Sequence, residues 1–249
     1  MTTRRFFLNQ SFLALGLSAL LALPGGATAK EPVRAEATHY IDTKTFDLAR
    51  VLAPPPADDS AATRAELDEM LRIQGSRSEA QSARATADAE VSVFRFADVV
   101  GSDRFTAANL PLTLALFKKI SDDELWAAGA AKDAFRRPRP FLLEPKLQPL
   151  LARTSSASYP SGHSMWGYAV GLVLADMLPE KRAQIMARAR EYATNRVVVG
   201  MHYPSDIESG IHSGVALAAA FFSSSTFRAD EAAATKELRS VLGLAPPNR

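Results

Sequence analysis

The chain has 249 residues, 47% of them hydrophobic, with 29 Lys and Arg, 27 Asp and Glu, and no cysteine. That length suits one domain or at most two, and the apolar share is enough for a real core, which excludes wholesale disorder. The missing cysteines exclude disulfide staples, a thiolate nucleophile and a cysteine zinc site.

The first 29 residues read as an export signal. Arg4 and Arg5 form a basic start, Phe12 to Leu23 an apolar stretch too short to span a bilayer well, and Ala27-Thr28-Ala29 a cleavage site. An uncleaved anchor is the alternative. Thr3-Arg4-Arg5-Phe6-Phe7-Leu8-Asn9 also resembles a twin-arginine signal, so the expected location is periplasmic or secreted by either export route. Removing residues 1–29 takes away two arginines and no acids, which leaves 27 bases against 27 acids. A mature chain of zero net charge is no general polyanion magnet, so nucleic acid is not an expected partner. Residues 30–249 are expected to form a single domain.

Along that domain, residues 30–50 are a polar arm, and Pro54-Pro55-Pro56 is a stiff break. A long helix-favouring stretch follows from about Ala61 to Val91, with Gly75-Ser76 as an interruption. Further helices are expected at 91–101 and 110–120. Ser121-Asp122-Asp123-Glu124 looks like a capping box opening a helix toward Phe135. Pro138 and Pro140 end that helix and hold Arg139 on a loop. Ser161 caps a helix to about Met177. Another covers Lys181 to Val198, and a last buried one runs from Tyr203-Pro204 through Phe222. No alternating strand pattern of useful length occurs. The expected fold class is all-α, a compact helical bundle. The two apolar helices carry His163 and Asp176, and Glu208 and His212, so neither offers a clean membrane span and stable membrane insertion is not expected.

Three segments carry chemistry. The first runs from Lys132 to Pro140, the second is Tyr159-Pro160-Ser161-Gly162-His163, and the third runs from Arg196 through His202 to Asp206. Lys132, Arg139 and Arg196 supply fixed positive charge for an oxyanion. Ser161 and Gly162 open a helix whose free amides bind phosphate oxygens, and Gly162 lets the backbone approach the anion closely. His163 lies beside them, placed to protonate a leaving oxygen. Asp206 can hold one ring nitrogen of His202 and leave the other lone pair aimed at phosphorus. Arg136 and Arg137 fall outside this pattern and are expected to be solvated or paired with surface acids. His212 is expected to be a satisfied core residue or a support to the site. His39 is assigned nothing. With only His163 and His202 placed by a motif, neither a metal cage nor a cofactor is expected.

The order and spacing of these segments resemble the signature of the type-2 phosphatidic acid phosphatase superfamily: K-x6-R-P, P-S-G-H and S-R-x5-H-x3-D. One position departs, Asn195 standing where the signature has serine. Val51-Leu52-Ala53-Pro54-Pro55-Pro56, the polar helix after it, Arg139-Pro140-Phe141 and Ser158-Tyr159-Pro160 extend the likeness to the class A bacterial non-specific acid phosphatases. That resemblance implies an all-α fold and a metal-independent phosphomonoesterase that works through a phosphohistidine. It implies His202 as nucleophile, His163 as general acid and Asp206 as orienter. Lys132, Arg139, Ser161, Gly162 and Arg196 would bind phosphate. Small phosphomonoesters would be the substrates, and homo-oligomers are common in the family. A vanadium-dependent haloperoxidase shares the signature, and a non-catalytic phosphate-binding module would use the same cations.

Overall fold

In a computed structural model the chain is described over residues 37–246. The export signal expected at residues 1–29 lies outside the described residues. The helices are α1 (Ala61–Ser76), α2 (Glu79–Ala87), α3 (Ala97–Val100), α4 (Pro111–Phe135), α5 (Pro140–Leu143), α6 (Gly162–Met177), α7 (Arg182–Val198), α8 (Pro204–Ser223) and α9 (Ser225–Leu242). No β-strand occurs among the described residues, so the fold is all-α. None of these helices is long and apolar enough to cross a membrane.

The long polar stretch after the prolines divides, as Gly75-Ser76 suggests. Arg77 leaves α1 in an extended conformation, and Ser78 restarts α2 with a capping box to Gln81. Two expectations are corrected. Ser121 is not an N-cap but lies in the middle of a continuous α4. Its hydroxyl donates back to the Phe117 carbonyl and accepts the Trp166 indole N–H at 2.8 Å. The helix amides around it are already bonded, so a capping pattern has nothing to cap. Helix α9 also goes beyond the expected elements. Ser224 caps it through the Phe227 amide, Gly243 closes it in the left-handed region, and Phe227, Ala234 and Leu238 are buried.

Helix α6 is the axis of the molecule. It buries Met165, Trp166, Ala169, Val170, Val173 and Leu174 and packs between α7 and α8, with α4 and α9 closing the bundle. Full burial of each large side chain is worth roughly 1.5–3 kcal/mol. The approach of α8 to α6 depends on two glycines. A Cβ at Gly210 would sit 2.5 Å from the Ser161 carbonyl, and one at Gly214 2.6 Å from the Met165 carbonyl. This contact brings the start of α8 against the start of α6, where the Ser161 amide donates to the Asp206 carbonyl at 3.1 Å. The polar arm is tied down at α4: the Asp123 carboxylate accepts the amides of His39, Tyr40 and Ile41.

Candidate functional site

The starts of α6 and α8, the end of α7 and the loop after α4 converge on one buried polar site. His202 ends the turn between α7 and α8 and is 3% exposed. Its Nε2 lies 2.8 Å from Nη1 of Arg139, and its Nδ1 3.3 Å from Oδ2 of Asp206. A guanidinium only donates, so Nε2 must carry the lone pair and Nδ1 the proton. Burial, then the charges of Arg139, Lys132 and Arg196, push this imidazole well below its ordinary range.

Asp206 is fully buried. One oxygen accepts from Arg137 Nη1 at 2.7 Å, and the other accepts from the Ser158 hydroxyl and the Tyr203 amide as well as from His202. Burial raises its pKa, while Arg137 and Ser158 pull it back toward the ionised form. Arg137 thus belongs to the site, contrary to the expectation of a solvated or surface-paired side chain. It is 2% exposed, bridges Asp206 to Glu66 on α1, and lies 3.8 Å over the Tyr203 ring. Motif spacing marks residues expected to meet an anion and is silent about one that pairs with the Asp206 carboxylate. Arg136 is exposed, as expected.

His163 is fixed differently. Its Nε2 contacts the Ala89 carbonyl at 3.2 Å, which only accepts, so Nε2 carries a proton and Nδ1 is left over. Its ring lies against Tyr192, with centroids 6.3 Å apart and planes 16° from parallel. Tyr192 in turn donates to the Glu90 carbonyl. The turn at residues 88–90 is therefore the cradle of His163. Asp88 anchors that turn through Arg188, Arg95 and the Asn195 amide, the last at 2.8 Å. Asn195, the departure from the signature, is thus tied to the cradle. Burial, and then the charge of Arg196, push His163 well below the usual imidazole range.

The three cations have different commitments. Lys132 donates to the carbonyls of Ala157, Ser158 and Pro160 and so pins the loop that leads to Ser161. Burial and the neighbouring Arg139 pull it down to about 7, while carbonyl acceptors favour its charged form. Arg139 spends its donors on Ser156, Met201 and His202. Arg196 is 4% exposed, and its Nε and Nη1 meet no acceptor among the described residues. A buried guanidinium with open donors is suited to an anion. Ser161 caps α6 through the Ser164 amide. Gly162 opens the helix, but the space beside it is taken by Glu124 of α4, whose Oε1 lies 2.8 Å from where a Cβ would stand. His212 is exposed on α8, away from the core position expected for it.

This arrangement offers open donors for an oxyanion, one imidazole with its lone pair held ready, and a second with a free nitrogen. The PAP2 superfamily model matches residues 109–230. The chain is 31% identical over 196 residues to an acid phosphatase of Zymomonas mobilis subsp. mobilis, covering 75% of this chain and 74% of that one. It is 30% identical over 174 residues to a non-specific acid phosphatase of Salmonella typhimurium, covering 66% and 68%. Among solved structures, a bacterial vanadium-dependent iodoperoxidase shares the fold with a TM-score of 0.52 at 20% identity, over 68% of this chain and 51% of that one. The chain belongs to the PAP2 superfamily, among its acid phosphatases.

Proposed function

We propose that the protein is an exported acid phosphatase that hydrolyses a broad range of phosphomonoesters through a phosphohistidine on His202. The observation that carries this reading is the tautomer of His202, whose Nε2 lone pair meets the Arg139 guanidinium beside the open donors of Arg196. A phosphoryl group between these arginines and the first amides of α6 competes with His202 for Arg139 and frees Nε2. Nε2 attacks phosphorus, and the bond to the leaving oxygen breaks as His163 Nδ1 gives that oxygen a proton. Positive charge on His202 is met through Nδ1–H by Asp206. Water then loses a proton to the neutral Nδ1 of His163, attacks phosphorus and breaks the P–N bond, which releases phosphate and regenerates both histidines.

The lowered pKa of His202 keeps the nucleophile unprotonated well into acid, a physical basis for an acid phosphatase. His163 must gain a proton when substrate binds, and the dianion's charge supplies the bias. The relatives named non-specific acid phosphatases support the broad range, and residues 4–29 support export. Hydrolysis of a panel of phosphomonoesters with and without excess EDTA tests the proposal. Turnover should survive the chelator, because Lys132, Arg139 and Arg196 meet the phosphate charge. Loss of turnover restored by a divalent ion contradicts it.

A further inference from the structure

Glu124 has no place in that mechanism, yet it borders the site. The residue is 5% exposed, and its Oε1 has no hydrogen-bond partner among the described residues. It lies against Gly162, the first residue of α6, in the space a side chain there would need. An ionised carboxylate beside the first turn of α6 would compete with an anion bound there, and without donors it would be costly to bury. We propose, building on the phosphatase reading, that Glu124 is a further binding residue of the anion site, a neutral carboxylic acid that donates a hydrogen bond to the bound oxyanion.

Three features support this. Burial raises the Glu124 pKa to about 8, so the acid form is present across the acid and neutral range. Lys132, the charge that opposes this, lies just over two turns further along α4 and directs its donors at three carbonyls instead. The other titratable groups nearby are Tyr192 on α7 and His163, which follows Gly162 on α6. Neither is a donor to Glu124. Gly162 therefore serves two purposes, since any side chain at that position would displace the carboxyl. Loss of the Glu124 proton would then replace a donor with a negative charge and expel the anion at alkaline pH.

Sulfate is the probe, because it remains a dianion across the whole range. Its binding to the exported form of the chain is measured by calorimetry from pH 5 to 9.5, for wild type and Glu124→Gln. Glutamine keeps a donor and cannot ionise. The two curves should coincide near pH 5 and diverge to roughly tenfold tighter binding by the variant at pH 9, about one unit beyond the Glu124 pKa. Parallel curves would overturn the proposal while leaving the anion site intact. Absence of sulfate binding to either chain at every pH would overturn this inference, while the phosphatase reading is decided separately by ester turnover. Should the variant fail to fold, infrared spectroscopy of wild type at pH 7 decides the point. A protonated-carboxyl band that shifts on adding sulfate supports the proposal, and a spectrum with no such band contradicts it.

Discussion

The two halves of the site solve the same problem in opposite ways. Around His202 the imidazole and its carboxylate are matched: Arg139 meets Nε2, Asp206 meets Nδ1, and Arg137, Ser158 and the Tyr203 amide complete Asp206. Around His163 the matching stops halfway. Ala89 holds Nε2, Tyr192 lies against the ring, and Arg196 and Glu124 keep unpartnered atoms. A nucleophile must present one lone pair in one direction, which rewards a closed network. An acid must take a proton and pass it on, and an anion site must have donors to spare, so that half is left open. The difference separates two imidazoles, His202 buried and His163 half-buried, that are both held below their usual pKa.

Breaking the closed half should cost most. His202→Ala is expected to lower turnover by roughly 10⁶-fold and abolish covalent labelling, since the bond to phosphorus is assigned to His202 alone. Single-turnover kinetics with a labelled ester checks this. In the open half, His163→Ala should cost about 10²–10⁴-fold with alkyl phosphates and much less with nitrophenyl phosphate, whose leaving oxygen needs little acid help. A plot of rate against leaving-group pKa should therefore steepen in that variant.

Arg137→Met probes whether the closed network depends on a residue that touches neither phosphate nor histidine. It would leave Asp206 buried without its counter-charge, at a cost of about 3–5 kcal/mol in stability. Urea unfolding measures this, and a further fall in kcat should accompany it. Asn195→Ala tests the corresponding support behind His163 and should have the smallest effect, roughly tenfold or less in kcat, again larger for poor leaving groups. Asn195→Ser, the residue of the family signature, should retain more activity than alanine.

Acidity probes both halves at once. The two histidines have folded pKa values well below 6.5, so below that pH the unfolded chain binds protons that the folded chain refuses. Stability should accordingly fall as pH drops from about 6.5 toward the lower folded values. Inorganic phosphate, by favouring protonation of His163, should reduce that loss. Melting curves at stepwise lower pH, with and without phosphate, give the sign directly.

The sequence makes the reacting parts legible and leaves their supports obscure. Lys132, Arg139, Ser161, Gly162, Arg196, His163, His202 and Asp206 stand at fixed spacings, and the fold gathers them because those spacings place them at helix ends. Arg137 escapes the motif because its partner, Glu66, is 71 residues away and meets it only in three dimensions. The cradle of His163 is hidden for a related reason: Ala89 contributes a carbonyl, which any residue type supplies. Glu124 fits a helix cap in the sequence, since serine and glutamate three apart match that pattern in the middle of a helix as well as at its start. Helix α9 has a serine cap and a closing glycine, but its apolar positions are sparse enough to pass for a polar tail.

The most direct test of the division of labour is the site and chemistry of the covalent intermediate. A labelled phosphomonoester is quenched during turnover, and the phosphohistidine is mapped by peptide sequencing and by nitrogen NMR of the ring. The account predicts phosphate on Nε2 of His202, opposite the nitrogen that Asp206 holds. Phosphate on Nδ1 of His202, or on His163, would contradict it.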